Sequence, residues 1–104
     1  MPTIVGAMTD TEVLRELGSR LRAYRLQQNL TVATVAERAG VNPNTVLNAE
    51  AGRNPRLGTL LRLLRVYGRL EAVDAFLPEP GVSPLQLARL QGRPRRRART
   101  RGNG

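Results

Sequence analysis

The stretch from Val32 to Gly52, VATVAERAGVNPNTVLNAEAG, constrains the fold more than any other part of the chain. Two short helical patterns meet here, and the chain stops and restarts within about four residues. Gly40 stands just past the first pattern, where a left-handed backbone is needed. Asn42 and Pro43 open the second, because Asn accepts a hydrogen bond at an N-cap and Pro suits the first helical position. Val35, Ala36 and Ala39 form one face of the first helix, Val41 plugs the turn, and Val46 with Ala49 faces back from the second. Ala36 matters sterically, since helices joined by so short a turn approach closely only where the contact residue is small. The second helix then leaves Pro43, Asn44, Leu47 and Asn48 on its outer face.

Small residues around a glycine turn define a helix-turn-helix pattern, and a helix of this size fits the major groove of duplex DNA. A helical hairpin with no nucleic-acid role carries the same features, so the downstream residues decide. Glu50, Gly52, Arg53, Asn54 and Pro55 form a glycine-stopped loop, and Leu57 begins a leucine-rich helix. From Leu30 to Tyr67 the chain resembles the helix-turn-helix family of phage repressors, the Cro/C1 or Xre type. The resemblance rests on LT at 30–31, AERAGV at 36–41, TV at 45–46, Glu50, GRNP at 52–55 and LxTLLRLLRVY at 57–67. It covers over a third of the chain.

That resemblance implies an all-α domain of five to six helices that binds double-stranded operator DNA as a homodimer and represses transcription. It places Pro43, Asn44, Leu47 and Asn48 against base edges. Asn44 and Asn48 are the best base readers, because an amide both donates and accepts and so pairs with adenine N6 and N7; Leu47 can only touch a thymine methyl. Asn48 sits mid-helix, where Asn gains little intrinsically, so a reason outside the helix is wanted. Thr31, Asn42, Thr45, Arg53, Asn54, Arg56 and Arg25 are the backbone-contact candidates, with N-capping the favoured role for Asn42. Family members commonly carry Gln after the cap of the first helix; here Val32 removes that donor, although helix N-terminal amides still bind phosphate. For Glu50 the expected role is structural, in a pair with Arg38 or Arg53.

At 104 residues there is room for one domain and little more. A helical core of this size is modestly stable alone, which favours a homodimer. With no Cys and no His, disulfides and the usual zinc sites are excluded. The acids are scattered, so general acid–base chemistry lacks its parts; neither an enzyme nor a cofactor is expected. No membrane span and no secretory leader is legible, and a cytoplasmic protein of bacterial or phage origin is expected. The net charge is +9, and every basic residue is Arg. Residues 89–104 hold seven of the arginines and no acid; the preceding residues carry ten Arg against eight acids, only +2.

In chain order, residues 1–9 read as a flexible arm. Asp10 or Thr11 is expected to cap a first helix bearing Leu14, Leu17, Leu21 and Tyr24 at steps of three and four, and the helix-turn-helix domain spans 10–77. Leu57, Leu60, Leu61, Leu64 and Tyr67 line a fourth helix ended by Gly68. Leu70 to Leu77 forms a fifth, whose Leu70, Val73, Phe76 and Leu77 are, by resemblance, the dimer interface. In the 78–92 segment Ser83 and Pro84 open a sixth short helix to Gln91, carrying Leu85, Leu87, Ala88 and Leu90. Residues 93–104, with Arg93, Arg95, Arg96, Arg97, Arg99 and Arg101, cannot pack and are expected to be disordered, offering charge to phosphates or to an acidic partner. The ending SPLQLARLQGRPRRRAR also resembles the C-terminal region of HipB-like antitoxins, which implies a HipA-type kinase toxin as partner.

Three readings stay open: an autoregulating DNA-binding antitoxin, a free-standing repressor with no toxin, and a non-specific nucleic-acid binder driven by the Arg tail.

Overall fold

The structure, a computed structural model, describes residues 3–81 and is all-helical over that span. Five helices follow one another: α1 (Asp10–Gln27), α2 (Val32–Ala39), α3 (Pro43–Glu50), α4 (Leu57–Val66) and α5 (Ala72–Phe76). The sixth helix expected at Pro84–Gln91 and the arginine tail lie outside the described residues.

Local chemistry sets each boundary. α1 is capped by Thr9, one residue before the expected Asp10 or Thr11. Thr9 stands three residues before Glu12, which makes a capping box. Its hydroxyl accepts from the Glu12 N–H at 3.1 Å, and the Glu12 carboxylate accepts from the Thr9 N–H at 2.8 Å. The arm before it is not wholly irregular, since the Met8 N–H donates to the Val5 carbonyl at 3.1 Å.

Thr31 caps α2 as expected, accepting from the Thr34 N–H at 3.1 Å. Gly40 ends it in the left-handed conformation, with φ at 70°. The Val41 N–H then reaches back to the Ala36 carbonyl at 3.0 Å, closing the turn. Asn42 opens α3 through its Oδ1, which accepts from the Asn44 N–H at 2.8 Å, with Pro43 in the first turn.

α2 packs on α3 and α4, and α3 also packs on α1. The core is Leu21, Val35, Ala36, Ala39, Val46, Ala49, Leu63 and Tyr67. All five apolar helix positions expected to face inward in the helix-turn-helix are buried, and Val41 packs against them. The helix-on-helix contact is closer than a side chain allows at one point: a Cβ on Gly18 of α1 would stand 2.5 Å from the Glu50 carbonyl oxygen.

Two expectations are corrected. On α4 the fully buried leucine is Leu63, while Leu57, expected inside, is 65% exposed. Leucines at 57, 60, 61, 63 and 64 surround so much of the helix that spacing cannot single out the inner face. The fifth helix is shorter than expected, because Leu70 and Glu71 form a turn with no side-chain cap to extend it.

Candidate nucleic-acid interface

α3 turns Val46 and Ala49 into the core, and that anchoring decides what remains outside. Pro43, Asn44, Leu47 and Asn48 are all exposed and share one face at steps of three and four. Leu47 keeps 48% of its surface exposed, unusual for a leucine flanked by buried neighbours on its own helix. Thr45 is half-buried at the edge of this face. Thr31 lies exposed at the start of α2, its hydroxyl donating to Thr34 Oγ1 at 2.9 Å. Past the end of α3, Arg53, Asn54 and Arg56 are exposed in the loop, with Asn54 in the left-handed region at φ 47°. The Arg53 guanidinium donates from Nη1 to Asn48 Oδ1 at 3.2 Å. Loop cation and mid-helix amide are therefore joined at the surface.

Arg25, expected as a backbone-contact candidate, is engaged inside the protein. Its Nε and Nη2 donate to the two carboxylate oxygens of Glu50 at 2.7 and 3.1 Å, and Nη1 donates to the Leu30 carbonyl at 3.2 Å. The two side chains are only 11% and 6% exposed. Each of the three guanidinium nitrogens thus donates to an acceptor inside the protein. The hydrogen bond to Glu50 raises the Arg25 pKa further, outweighing the opposite pull of burial, so the guanidinium stays charged. Glu50 thus pairs with Arg25 across 25 residues of sequence rather than with Arg38 or Arg53. The pair ties the end of α1 to the end of α3 and to the loop before α2, fixing how α3 is presented.

Two buried polar groups carry no sequence signal. The Tyr67 hydroxyl is buried with no hydrogen-bond partner among the described residues, and its ring stacks on Tyr24 at 6.2 Å between centroids. Burial, aided by the Glu50 charge and opposed by Arg25, pushes its pKa up to about 12. Glu16 is buried on α1 and held by Arg20 Nε at 2.9 Å. A glutamate among leucines reads as surface from sequence, and only the packing of α1 shows otherwise.

Of the residues expected at the interface, the structure places Pro43, Asn44, Leu47, Asn48, Thr31, Asn42, Arg53, Asn54 and Arg56 at the surface. It half-buries Thr45 and withdraws Arg25. Arg93, Arg95, Arg96, Arg97, Arg99 and Arg101 lie outside the described residues. On α5, Phe76 and Leu77 are 75% and 76% exposed, whereas Leu70 and Val73 are half-buried.

A short capped helix, anchored by two inward residues and offering amides outward, with arginines in the loop that follows it, defines the class: an all-helical DNA-binding module. Residues 16–76 match the family described as the helix-turn-helix domain, and since that span exceeds half the chain, the protein belongs to this family of DNA-binding regulators. No curated protein shows significant similarity to the chain. Among the described residues no helix is long and apolar enough to cross a membrane.

Proposed function

We propose that the protein is a sequence-specific repressor that binds duplex DNA as a homodimer and controls its own operon in the cytoplasm. The observation that carries this reading is the outer face of α3, where Asn44 and Asn48 stand exposed beside Leu47 while Val46 and Ala49 anchor the helix. α3 enters the major groove, Asn44 and Asn48 read base edges, and Leu47 touches a thymine methyl. Thr31, Asn42, Asn54, Arg53 and Arg56 serve the phosphates, together with the half-buried Thr45 at the helix edge. Two copies related by a two-fold place their α3 helices about 34 Å apart, one turn of the duplex. The exposed Phe76 and Leu77 at the end of α5 supply apolar surface for pairing.

The chain further acts as the antitoxin of a HipA-type kinase toxin, a role supported by the resemblance of SPLQLARLQGRPRRRAR at 83–99 to the end of HipB-like antitoxins. Pull-down from the native host combined with footprinting on the upstream region tests both parts. Recovery of a kinase-like partner with a protected palindrome is the expected result. A palindrome without the partner leaves a free-standing repressor, and protection with no sequence preference contradicts both.

A further inference from the structure

α4 carries more leucine than the helix-turn-helix core uses. Leu63 is sealed in the core, whereas Leu57, Leu60, Leu61 and Leu64 line a groove of about 250 Å³. Leu17, Leu21 and Tyr24 of α1 form its second side, and Ala72, Val73 and Phe76 of α5 its third. Arg20 is the one charged residue on its walls, and its Nε is held by Glu16. An open apolar groove of this kind, rimmed by Leu57 and Phe76 at 65% and 75% exposure, is a docking surface.

The chain itself supplies the occupant. α5 is one wall of the groove, and only five residues, 77–81, separate its last residue Phe76 from Val82. Beyond them runs VSPLQLARLQG, residues 82–92, with no acid, a helix-opening Ser-Pro and a closing glycine. At helical spacing Leu87 and Leu90 share a face from which Arg89 turns away. We propose that residues 83–91 dock in this groove in cis, laying Leu87 and Leu90 on the leucines of α4 and against Val73. So short a tether costs little closure entropy and holds the segment at an effective concentration in the millimolar range. A second copy lacks that advantage. Among the described residues its other exposed large apolar side chains are Leu77, next to Phe76, and Val5, Leu26 and Leu47, scattered over the arm, α1 and α3. Docking completes the core that α4 leaves open and starts the arginine tail, two residues past Gln91, at a fixed place on the domain.

The chain contains no cysteine, so a single nitroxide can be placed on Gln86→Cys of the full chain without other changes. Methyl NMR then reads line broadening at Leu57, Leu61, Leu64 and Val73. Selective broadening that is unchanged on dilution is expected, with its loss when Leu87→Asp and Leu90→Asp are added. A mixed sample, spin label on one chain and isotope label on another, is expected to show at these methyls only the weaker broadening that two-fold pairing near Phe76 and Leu77 brings. Broadening as strong as in the singly labelled chain would make a second copy the occupant and overturn the proposal. So would its absence from the singly labelled chain, or its survival in the double aspartate variant.

Discussion

Tyr67 shows how much a single side chain can hide from a sequence. At helical spacing it reads as one more apolar position, yet its hydroxyl is buried without a partner among the described residues, a state that costs about 1–3 kcal/mol. Tyr67→Phe is therefore expected to raise stability by on the order of 1 kcal/mol in chemical denaturation; a loss of that size would show that the hydroxyl is satisfied in solution. The pH dependence follows from the same burial. Because the folded pKa is pushed up to about 12 from 10.0, the unfolded chain ionises first. The stability held below pH 10 is lost as pH rises toward about 12. In Tyr67→Phe that part of the alkaline decline should vanish from thermal midpoints taken between about pH 9 and 12. The caps at Thr31 and Asn42 were legible beforehand because each depends on residues two or three positions away. The partner of Glu50 was not, since its ion pair joins residues 25 apart and depends on how α1 crosses α3.

At the scale of elements, the orientation of α3 rests on two contacts with α1. One is steric: Gly18 lets α1 approach where a Cβ would meet the Ala49 and Glu50 carbonyls at 2.7 and 2.5 Å. Gly18→Ala must push the helices apart, with an expected cost of about 1–3 kcal/mol in unfolding experiments despite the better helix propensity of Ala. An unchanged midpoint would mean that the contact is looser than described. The other is the Arg25–Glu50 clamp. Arg25→Met strands a carboxylate that is 6% exposed, for which a loss of about 3–5 kcal/mol is expected, and adding Glu50→Leu should recover most of it. If the double variant is no better than the single, the pair is not the source of the loss. Neither contact is written in hydrophobic periodicity, which gave the two helices and their facing residues. On α4, periodicity failed for the opposite reason, an excess of leucine on several faces at once. It named the residues of the open groove and missed Leu63, the one that is sealed.

For the whole molecule, the buried core shapes a small domain that holds the amides of α3 and the arginines of the loop after it, Arg53 and Arg56, at the surface. Binding should be salt-dependent. Each phosphate contact removed by Arg53→Ala or Arg56→Ala lowers the log–log salt slope by about 0.9, twice that on a two-fold site. Equal slopes for wild type and both variants would remove these arginines from the interface. Arg25→Lys, by contrast, should leave the slope unchanged, because that side chain faces inward. The most direct test of the account is selection of bound duplexes from a random pool by wild type, Asn44→Ala and Asn48→Ala. The account predicts paired half-sites about 10 base pairs apart for the wild type. It also predicts relaxed preference at a distinct position in each half-site for each variant, worth about 1–3 kcal/mol of discrimination. Three proteins selecting the same motif, or no motif at all, would contradict the claim that the outer face of α3 reads DNA.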